Sequence, residues 1–287
     1  MTQAPPPPPP RSTAPPPVAP ATPQAGRIVP DLVVPNWTRG GQGDNAQRIV
    51  IAGVPKIGKS TLAAYLPAPV FLDVEGGARE ITATIDDCSV DGFPTVRGKL
   101  AWLAQNPSGI GSVVVDTVSE LEVRIGDHVV ATKPSERGER VTSLAAYGWN
   151  KGWEHVYDEF NLLLADLDRI IAAGIHTCLV SHVHACSVPN PYGMDFIRWE
   201  PKLYAGDKNG KCSIKSRLVG WADHLLFVNY DVHATKDGKA MGGGTRRIYT
   251  EERPTHLAGS RRQVAGEIPY ELSDPARIWR ELGITTN

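Results

Sequence analysis

The segment GVPKIGKS at residues 53–60 constrains the fold of this 287-residue chain more than any other feature. It matches GxxxxGK[ST], a glycine-rich loop that holds phosphates when it follows a strand and opens a helix. An apolar run at 48–52 precedes it and an amphipathic stretch at 60–66 follows it, so the flanking pattern is the required one. The alternative, a chance match in a glycine-containing turn, does not predict this placement. The chain is therefore expected to fold around a strand-loop-helix unit that binds a nucleotide.

Each residue type in this loop has a chemical role. Gly53 and Gly58 permit backbone conformations that turn N–H groups toward phosphate oxygens. Lys59 is expected to reach the β and γ phosphates, Ser60 to supply a hydroxyl to Mg²⁺, and Thr61 to lie beside the α phosphate. The expected cofactors are ATP and Mg²⁺. The predicted nucleotide-binding residues are Gly53, Val54, Pro55, Lys56, Ile57, Gly58, Lys59, Ser60 and Thr61.

Short apolar runs alternate with longer amphipathic stretches from Gln47 onward, a pattern typical of β-α units and a mainly parallel sheet. The predicted strands are 48–52, 70–73, 112–116, 176–181 and 225–229. The predicted helices are 60–66, 118–131, 153–173 and a terminal one at 273–282. A β-hairpin is predicted around KDGK at 236–239. The fold class is therefore α/β, with helices flanking the sheet and an extra hairpin near the C-terminus.

Carboxylates follow two of these predicted strands, at the sheet edge where open α/β folds bind ligands. Asp116 ends the run VVVD and is predicted to order Mg²⁺ together with Ser60. Asp73 and Glu75 lie in FLDVEGG, one residue apart, so an extended backbone would direct both toward the nucleotide crevice. Glu75 is predicted to be the general base that activates water at the γ phosphate. The alternative is a solvated strand end.

These motifs together resemble the core of RecA-type ATPases. The matching segments, in the family's order, are 53–60, FLDVE at 71–75, VVVD at 113–116 and LVSH at 179–182. More closely, residues 49–282 resemble the phage-encoded RecA-like ATPases of the Sak single-strand annealing group. That narrower likeness depends on FLDVEGG at 71–77, YGWNKGW at 147–153, WAD at 221–223 and TRRIYTEERP at 245–254.

The resemblance implies a RecA-like fold, ATP hydrolysis and a role in phage DNA recombination. It gives Glu75 the place of the catalytic glutamate, Lys59 that of the catalytic lysine and Asp116 that of the second acid at the nucleotide. His182 takes the place of a polar sensor that is frequently glutamine in the family, and its imidazole can donate to a γ phosphate. The chain does not carry the helical amino-terminal module of bacterial recombinases, so their kind of filament is not implied.

Two long connections, 132–151 and 183–217, are expected at the nucleotide edge of the sheet, where RecA-like cores present DNA-binding loops. The second has six basic against three acidic side chains, a net charge of +3 in a chain of net charge −1. Its interleaved aromatic residues offer faces on which unpaired bases could stack. The alternative is a small subdomain with solvated charges. The candidate contacts to single-stranded DNA are Trp199, Lys202, Lys208, Lys211, Lys215 and Arg217.

Three arginines near the C-terminus, Arg246, Arg247 and Arg253, are candidates to reach the γ phosphate of a neighbouring protomer. RecA-like ATPases commonly place their sites between protomers, so a homo-oligomer is expected. A solvated strand face explains a single arginine equally well.

Cys178, His182, His184 and Cys186 raise the alternative of a zinc site. Within the predicted strand, Cys178 and His182 share one face, and the other two ligands could converge on them only after a sharp bend. A buried cysteine and a sensor histidine are therefore the favoured interpretation.

Composition and the distribution of residues indicate the domain boundaries and disfavour several classes of protein. Thirteen of the 25 prolines lie in the first 35 residues, so residues 1–26 are expected to be a disordered tail and 27–46 a linker or docking segment. Residues 47–287 are expected to form the ATPase domain. Four cysteines without a CxxC pair disfavour a disulfide scaffold, and the absence of a long apolar run disfavours a membrane span. The expected compartment is the cytoplasm, that of the host cell for a phage protein.

The sequence thus predicts an ATPase that binds single-stranded DNA and assists recombination or annealing, either directly or through a single-strand-binding protein. Two other functions remain open. A small-molecule P-loop kinase would use the same loop with an acceptor pocket, and a scaffold that does not hydrolyse ATP would use the nucleotide as a switch.

Overall fold

The computed structural model describes residues 45–234 and 240–284, with only the backbone described for 232–234 and 240–243. The predicted proline-rich tail and almost all of the predicted linker lie outside the described residues. The turn predicted at 236–239 also lies outside them. No helix in the described part of the chain combines the length and the apolar character that crossing a bilayer requires.

The described residues alternate between strands and helices. The strands are β1 (Arg48–Gly53), β2 (Pro69–Asp73), β3 (Thr84–Asp87), β4 (Ser112–Asp116), β5 (His176–Ser181), β6 (Val183–Val188), β7 (Phe196–Pro201), β8 (His224–Ala234), β9 (Ala240–Tyr249), β10 (Gly259–Ser260) and β11 (Glu267–Tyr270). The helices are α1 (Lys59–Ala63), α2 (Phe93–Gln105), α3 (Val118–Thr132), α4 (Lys151–Ala172), α5 (Ile214–Trp221) and α6 (Arg277–Glu281). A 3₁₀ turn spans Leu144–Tyr147.

Within the described part of the chain, nine strands form the main sheet in the order β11-β9-β8-β1-β5-β4-β2-β3, with β10 paired to β8. The pairs from β8 through β3 are parallel. The three C-terminal strands β9, β10 and β11 are antiparallel to their neighbours. The β1 strand lies at the centre, and β5 separates it from β4. This mainly parallel sheet, flanked by helices, confirms the predicted α/β fold.

Both faces of the parallel sheet are buried, because successive side chains on a strand point to opposite sides. In β1, Val50 and Ala52 pack with α2, α3, α4 and α5. Ile49 and Ile51 pack on the other face with α1 and α6. Strands that are buried on both faces are almost continuously apolar, and this explains why the short apolar runs predicted them correctly.

Helix ends follow local capping chemistry. Thr117 accepts a hydrogen bond from the Glu120 backbone N–H at the start of α3, the arrangement expected from a Thr-x-x-Glu sequence. Gly174 has φ of 82° after α4, as predicted for the residue that ends this helix.

Several elements differ from the sequence-based expectations. The α2 helix was not predicted, because Gly98 in its interior weakens the helical signal. The segment 183–217, expected to be a long connection, contains the β6-β7 hairpin and α5. The terminal helix is shorter than predicted, because residues 273–276 form turns before it begins.

Candidate active site

The phosphate loop leaves the carboxyl end of the central strand β1 and enters α1 at Lys59. Gly58 has φ of 101°, a left-handed conformation that favours glycine. Gly53 is required for a different reason, because a Cβ there would lie 2.6 Å from the Val228 carbonyl oxygen. The two motif glycines therefore meet two separate demands, one on backbone conformation and one on packing.

Lys59 is buried at the base of this loop, with 6% of its surface exposed. Its Nζ donates hydrogen bonds to the carbonyl oxygens of Gly53 and Val54, both at 3.0 Å. Burial lowers the pKa of this ammonium, while the nearby Asp116 and Glu75 carboxylates raise it. The lysine is thus held inside the loop at the point where phosphate oxygens would lie.

Asp116 and Ser60 meet beside Lys59, as the sequence predicted for a metal pair. The Asp116 carboxyl is buried, and burial raises its pKa, while a hydrogen bond with the Ser60 side chain lowers it. A carboxylate and a hydroxyl suit Mg²⁺, which prefers oxygen ligands and keeps several of its waters. The residues present therefore fit Mg²⁺, which would neutralise phosphate charge when bound.

Asp73 has a structural role that differs from the expected position in the crevice. Its carboxylate is buried and accepts hydrogen bonds from the backbone N–H groups of Gly76, Gly77 and Ala78, at 2.8 to 3.1 Å. These bonds fix the turn that follows β2. Asp73 therefore shapes the segment that carries Glu75.

Glu75 and His182 form a pair at the open side of the loop. The His182 Nε2 atom lies 3.0 Å from Oε2 and 3.2 Å from Oε1 of Glu75. The Glu75 side chain is 44% exposed, and its backbone N–H donates to the Asp116 carbonyl. Strands β2 and β5 are not adjacent in the sheet, so only the fold brings these two residues together. The structure therefore joins the predicted base to the predicted sensor.

Arg124 supports this segment and was not predicted. Its guanidinium donates hydrogen bonds to the backbone carbonyls of Val74, Cys88, Ser89 and Asp91, at 2.6 to 2.9 Å. It thereby fixes the backbone immediately before Glu75. No sequence motif marks this arginine, because its four partners are carbonyl groups that every residue carries.

A cavity of about 570 Å³ opens beside the Glu75-His182 pair and extends along α3 toward Lys202. Glu122, at its wall, accepts a hydrogen bond of 2.8 Å from the Tyr204 backbone N–H. Burial raises the pKa of Glu122 from 4.5 to about 7. This carboxyl therefore titrates near neutral pH while it holds the segment that follows β7.

We expect Glu122→Gln to change how the stability of the protein depends on pH. The folded chain keeps a proton on Glu122 that the unfolded chain releases, so its contribution to stability falls as pH rises from about 4.5 to about 7. Glutamine keeps an oxygen acceptor for Tyr204 and removes the titration. Melting temperatures of both proteins from pH 5 to pH 8 should show a smaller loss for the variant. Parallel curves would contradict this assignment.

The six predicted DNA contacts lie in different environments. Lys202 and Lys208 are exposed, and neither has an acidic partner among the described residues. The Lys202 backbone N–H donates to the His182 carbonyl at 2.7 Å. Trp199 is half-buried in β7, where its backbone pairs with Thr255 and Leu257. The lysines are thus more accessible than the tryptophan.

The other three basic residues have partners within the chain. Lys211 bonds Glu154 at 2.7 Å, and Arg217 bonds Asn161 at 2.8 Å. Lys215 forms an ion pair with Glu200, whose side chain is only 4% exposed. Breaking this pair would leave a buried carboxylate with one fewer cation, which makes Lys215 less available to DNA than Lys202 or Lys208.

The predicted trans arginines also have neighbours within the chain. Arg247 pairs with Asp231 and Glu267, and Arg253 pairs with Glu267. Arg246 lies beside Gly58 of its own phosphate loop. The assignment of Arg246 to a neighbouring protomer is therefore not what this geometry favours.

The cysteine and histidine cluster does not form a metal site among the described residues. Cys178 is fully buried in β5, and burial raises its thiol pKa. Cys186 Sγ lies 2.9 Å from His184 Nε2 on β6, while His182 faces Glu75. The four side chains thus do not converge on one point.

Comparison with known proteins finds a matching family for most of the chain. Residues 45–262 match the sequence model of a family described as "AAA domain". No curated protein matches the chain. Among solved structures, a KaiC-like protein from the hyperthermophilic archaeon Pyrococcus horikoshii is similar at 13% identity and a TM-score of 0.40, over 79% of this chain and 86% of that one.

Proposed function

The chain belongs to the AAA domain family, and on that premise we propose that it hydrolyses ATP and couples hydrolysis to binding of single-stranded DNA. The side chains that ATP hydrolysis would require lie together at one edge of the sheet. Lys59 and the loop amides would bind phosphate, Ser60 and Asp116 would hold Mg²⁺, and Glu75 would activate water. Its role in the cell would be phage recombination or strand annealing, as the resemblance to the Sak group implies.

The proposed coupling between ATP hydrolysis and DNA binding depends on the contacts of His182. The His182 carbonyl accepts the Lys202 backbone N–H, while the His182 imidazole pairs with Glu75. The proposed sensor of the γ phosphate is thus bonded to the start of the basic segment 202–217. A change at Glu75 on hydrolysis can therefore alter the position of Lys202 through a single residue.

Exposed aromatic side chains near the same segment supply stacking surfaces. Tyr192 at the tip of the β6-β7 hairpin and Trp149 before α4 are each 98% exposed. Tyr204 stacks on Trp153 with ring centroids 4.0 Å apart, and its hydroxyl bonds Asn150 at 2.9 Å, so the two long connections meet there. Stacking on such rings suits unpaired bases of any sequence.

ATP turnover with and without single-stranded DNA tests this proposal. We expect release of inorganic phosphate that rises when an oligonucleotide is added. A kinase would instead transfer phosphate to a small acceptor, and a switch scaffold would bind ATP without turnover. Sedimentation velocity with and without ATP would test the proposed homo-oligomer, and pull-down with a single-strand-binding protein would test that partner.

We expect the double variant Lys202→Ala/Lys208→Ala to bind a labelled single-stranded oligonucleotide more weakly than wild type. Each lost phosphate contact should also reduce the salt dependence of binding, by a slope of about 0.7 per contact. Fluorescence anisotropy over a salt series measures both effects.

Arg280→Ala is the control, since it removes an exposed cation whose partner Asp274 is also partly exposed, on α6, which packs in a different core cluster from the segment 202–217. It should bind DNA as wild type does. If the double variant keeps wild-type affinity and salt slope, the segment 202–217 does not contact DNA.

A further inference from the structure

Two C-terminal strands flank the phosphate loop on the side away from Glu75 and Asp116. The sheet order places β4 and β2 on one side of β1, and β8, β9 and β11 on the other. The metal pair and the predicted base lie on the first side. A nucleotide whose phosphates lie over the end of β1 must therefore extend its ribose and base elsewhere, and β9 and β11 border the free side.

Tyr270 and Arg246 connect these strands to the loop. They are direct cross-strand partners in the β9-β11 pair. The Tyr270 hydroxyl donates a 3.0 Å hydrogen bond to the Gly58 carbonyl oxygen, and the Arg246 guanidinium lies 5.8 Å from the centre of the Tyr270 ring. Arg246 Nη1 lies 3.0 Å from the position that a Cβ on Gly58 would take.

The charge of Arg246 is uncompensated where the structure describes the chain. Its neighbour Arg247 has two carboxylate partners, whereas Arg246 has none among the described residues. A planar guanidinium that is held against a phosphate loop is suited to bidentate contact with phosphate oxygens. The residue is thus placed to bind an anion on the same loop that Lys59 serves.

A cavity of about 510 Å³ lies against the end of the β9-β11 strand pair, next to this arginine. Thr245 and Glu271 offer polar groups at its wall, and Pro269, Tyr270 and Leu272 offer apolar surface. Leu272 is 75% exposed, so an apolar ligand face could cover it. This volume and mixture of groups are within the range for small-ligand sites.

We propose that Arg246 binds a nucleotide phosphate within its own chain and that the β9-β11 cavity takes the ribose and base. Tyr270 positions both the loop, through Gly58, and the guanidinium, through its ring. This inference rests on the nucleotide binding of the proposed function, and it is independent of DNA.

Titration with the fluorescent nucleotide mant-ADP and Mg²⁺, without DNA, tests the contact. Arg246→Ala should weaken binding about 10- to 100-fold, the range for one or two hydrogen bonds to a charged group. Arg246→Lys should recover part of the affinity, because it restores the positive charge but not the two parallel N–H donors of the guanidinium. Tyr270→Phe should weaken binding less than Arg246→Ala, because it removes only the bond to Gly58.

The control is Arg277→Ala, which removes an exposed cation paired with Glu281 on α6 and should bind mant-ADP as wild type does. Circular dichroism melts establish that each variant is folded. If Arg246→Ala does not fold, Arg246→Lys is used in its place. Wild-type affinity in a folded Arg246 variant, with affinity lost in Lys59→Ala, would overturn this inference and leave the phosphate loop intact. Wild-type affinity in Lys59→Ala as well would overturn the proposed nucleotide site itself.

Mixing the two defective proteins separates action within a chain from action between chains. If Arg246 served a neighbouring protomer, a mixture of Lys59→Ala and Arg246→Ala would contain intact sites, each with Lys59 from one chain and Arg246 from the other. Tight mant-ADP binding would then reappear on mixing and would overturn the proposal. We expect the mixture to bind no more tightly than its separate components.

Discussion

Lys59→Ala should reduce ATP turnover by about 100-fold or more and strongly weaken nucleotide binding. The ammonium is the cation at the fixed lysine position of the phosphate motif, and it lies buried near Gly53, Val54, Asp116 and Glu75. Alanine removes that charge and leaves two acidic groups near the phosphates. Steady-state phosphate release and mant-ADP titration together measure the loss.

A melt by circular dichroism must accompany this measurement, because Lys59 also bonds two carbonyls of its own loop. Removal of a buried charge that lies close to two carboxylates changes stability as well as binding. A folded Lys59→Ala protein with wild-type turnover would contradict the assignment of residues 53–60 as the phosphate loop.

Glu75→Gln should slow hydrolysis by about 10²- to 10⁴-fold while Mg-ATP binding is retained. The amide keeps the shape of the side chain and can still hydrogen-bond His182 Nε2, but it cannot accept a proton from water as a carboxylate does. Single-turnover measurements separate this step from binding, since the loss should appear in the rate constant and not in the affinity.

Glu120→Gln is the matched control for this substitution. Glu120 lines the same cavity and is also a glutamate, but its carboxylate lies 3.6 Å from Arg124 and it belongs to the first turn of α3. It should hydrolyse ATP at close to the wild-type rate. If Glu75→Gln does so too, another group positions the attacking water.

Much of the fold could be predicted from local patterns. The β1, β4 and β5 strands are buried on both faces, so their residues form almost continuous apolar runs. The long helix α4 was predicted because its apolar residues recur with helical spacing and Gly174 ends it. The β6-β7 hairpin was missed, because its partly exposed residues do not alternate clearly between apolar and polar.

The residues of the candidate site also differ in how well the sequence could predict them. The phosphate loop is contiguous, so its spacing alone identified Lys59 and Ser60, and strand ends identified Asp116 and Glu75. The distribution of basic residues was less informative, because charge in a sequence does not show which cations are already paired. Lys215 illustrates this point, since its partner Glu200 lies 15 residues away and is buried with it.

The sequence by itself determined the class of the fold and the phosphate-binding chemistry, because both depend on residues close together in the chain. Only the tertiary structure decided which distant residues complete the site. His182 meets Glu75 across 107 residues of chain, and Tyr270 meets Gly58 across 212. Such contacts depend on strand order and register, which follow from packing of the whole sheet and leave no local pattern. For that reason the position of Arg246 at its own phosphate loop could not be deduced from the sequence.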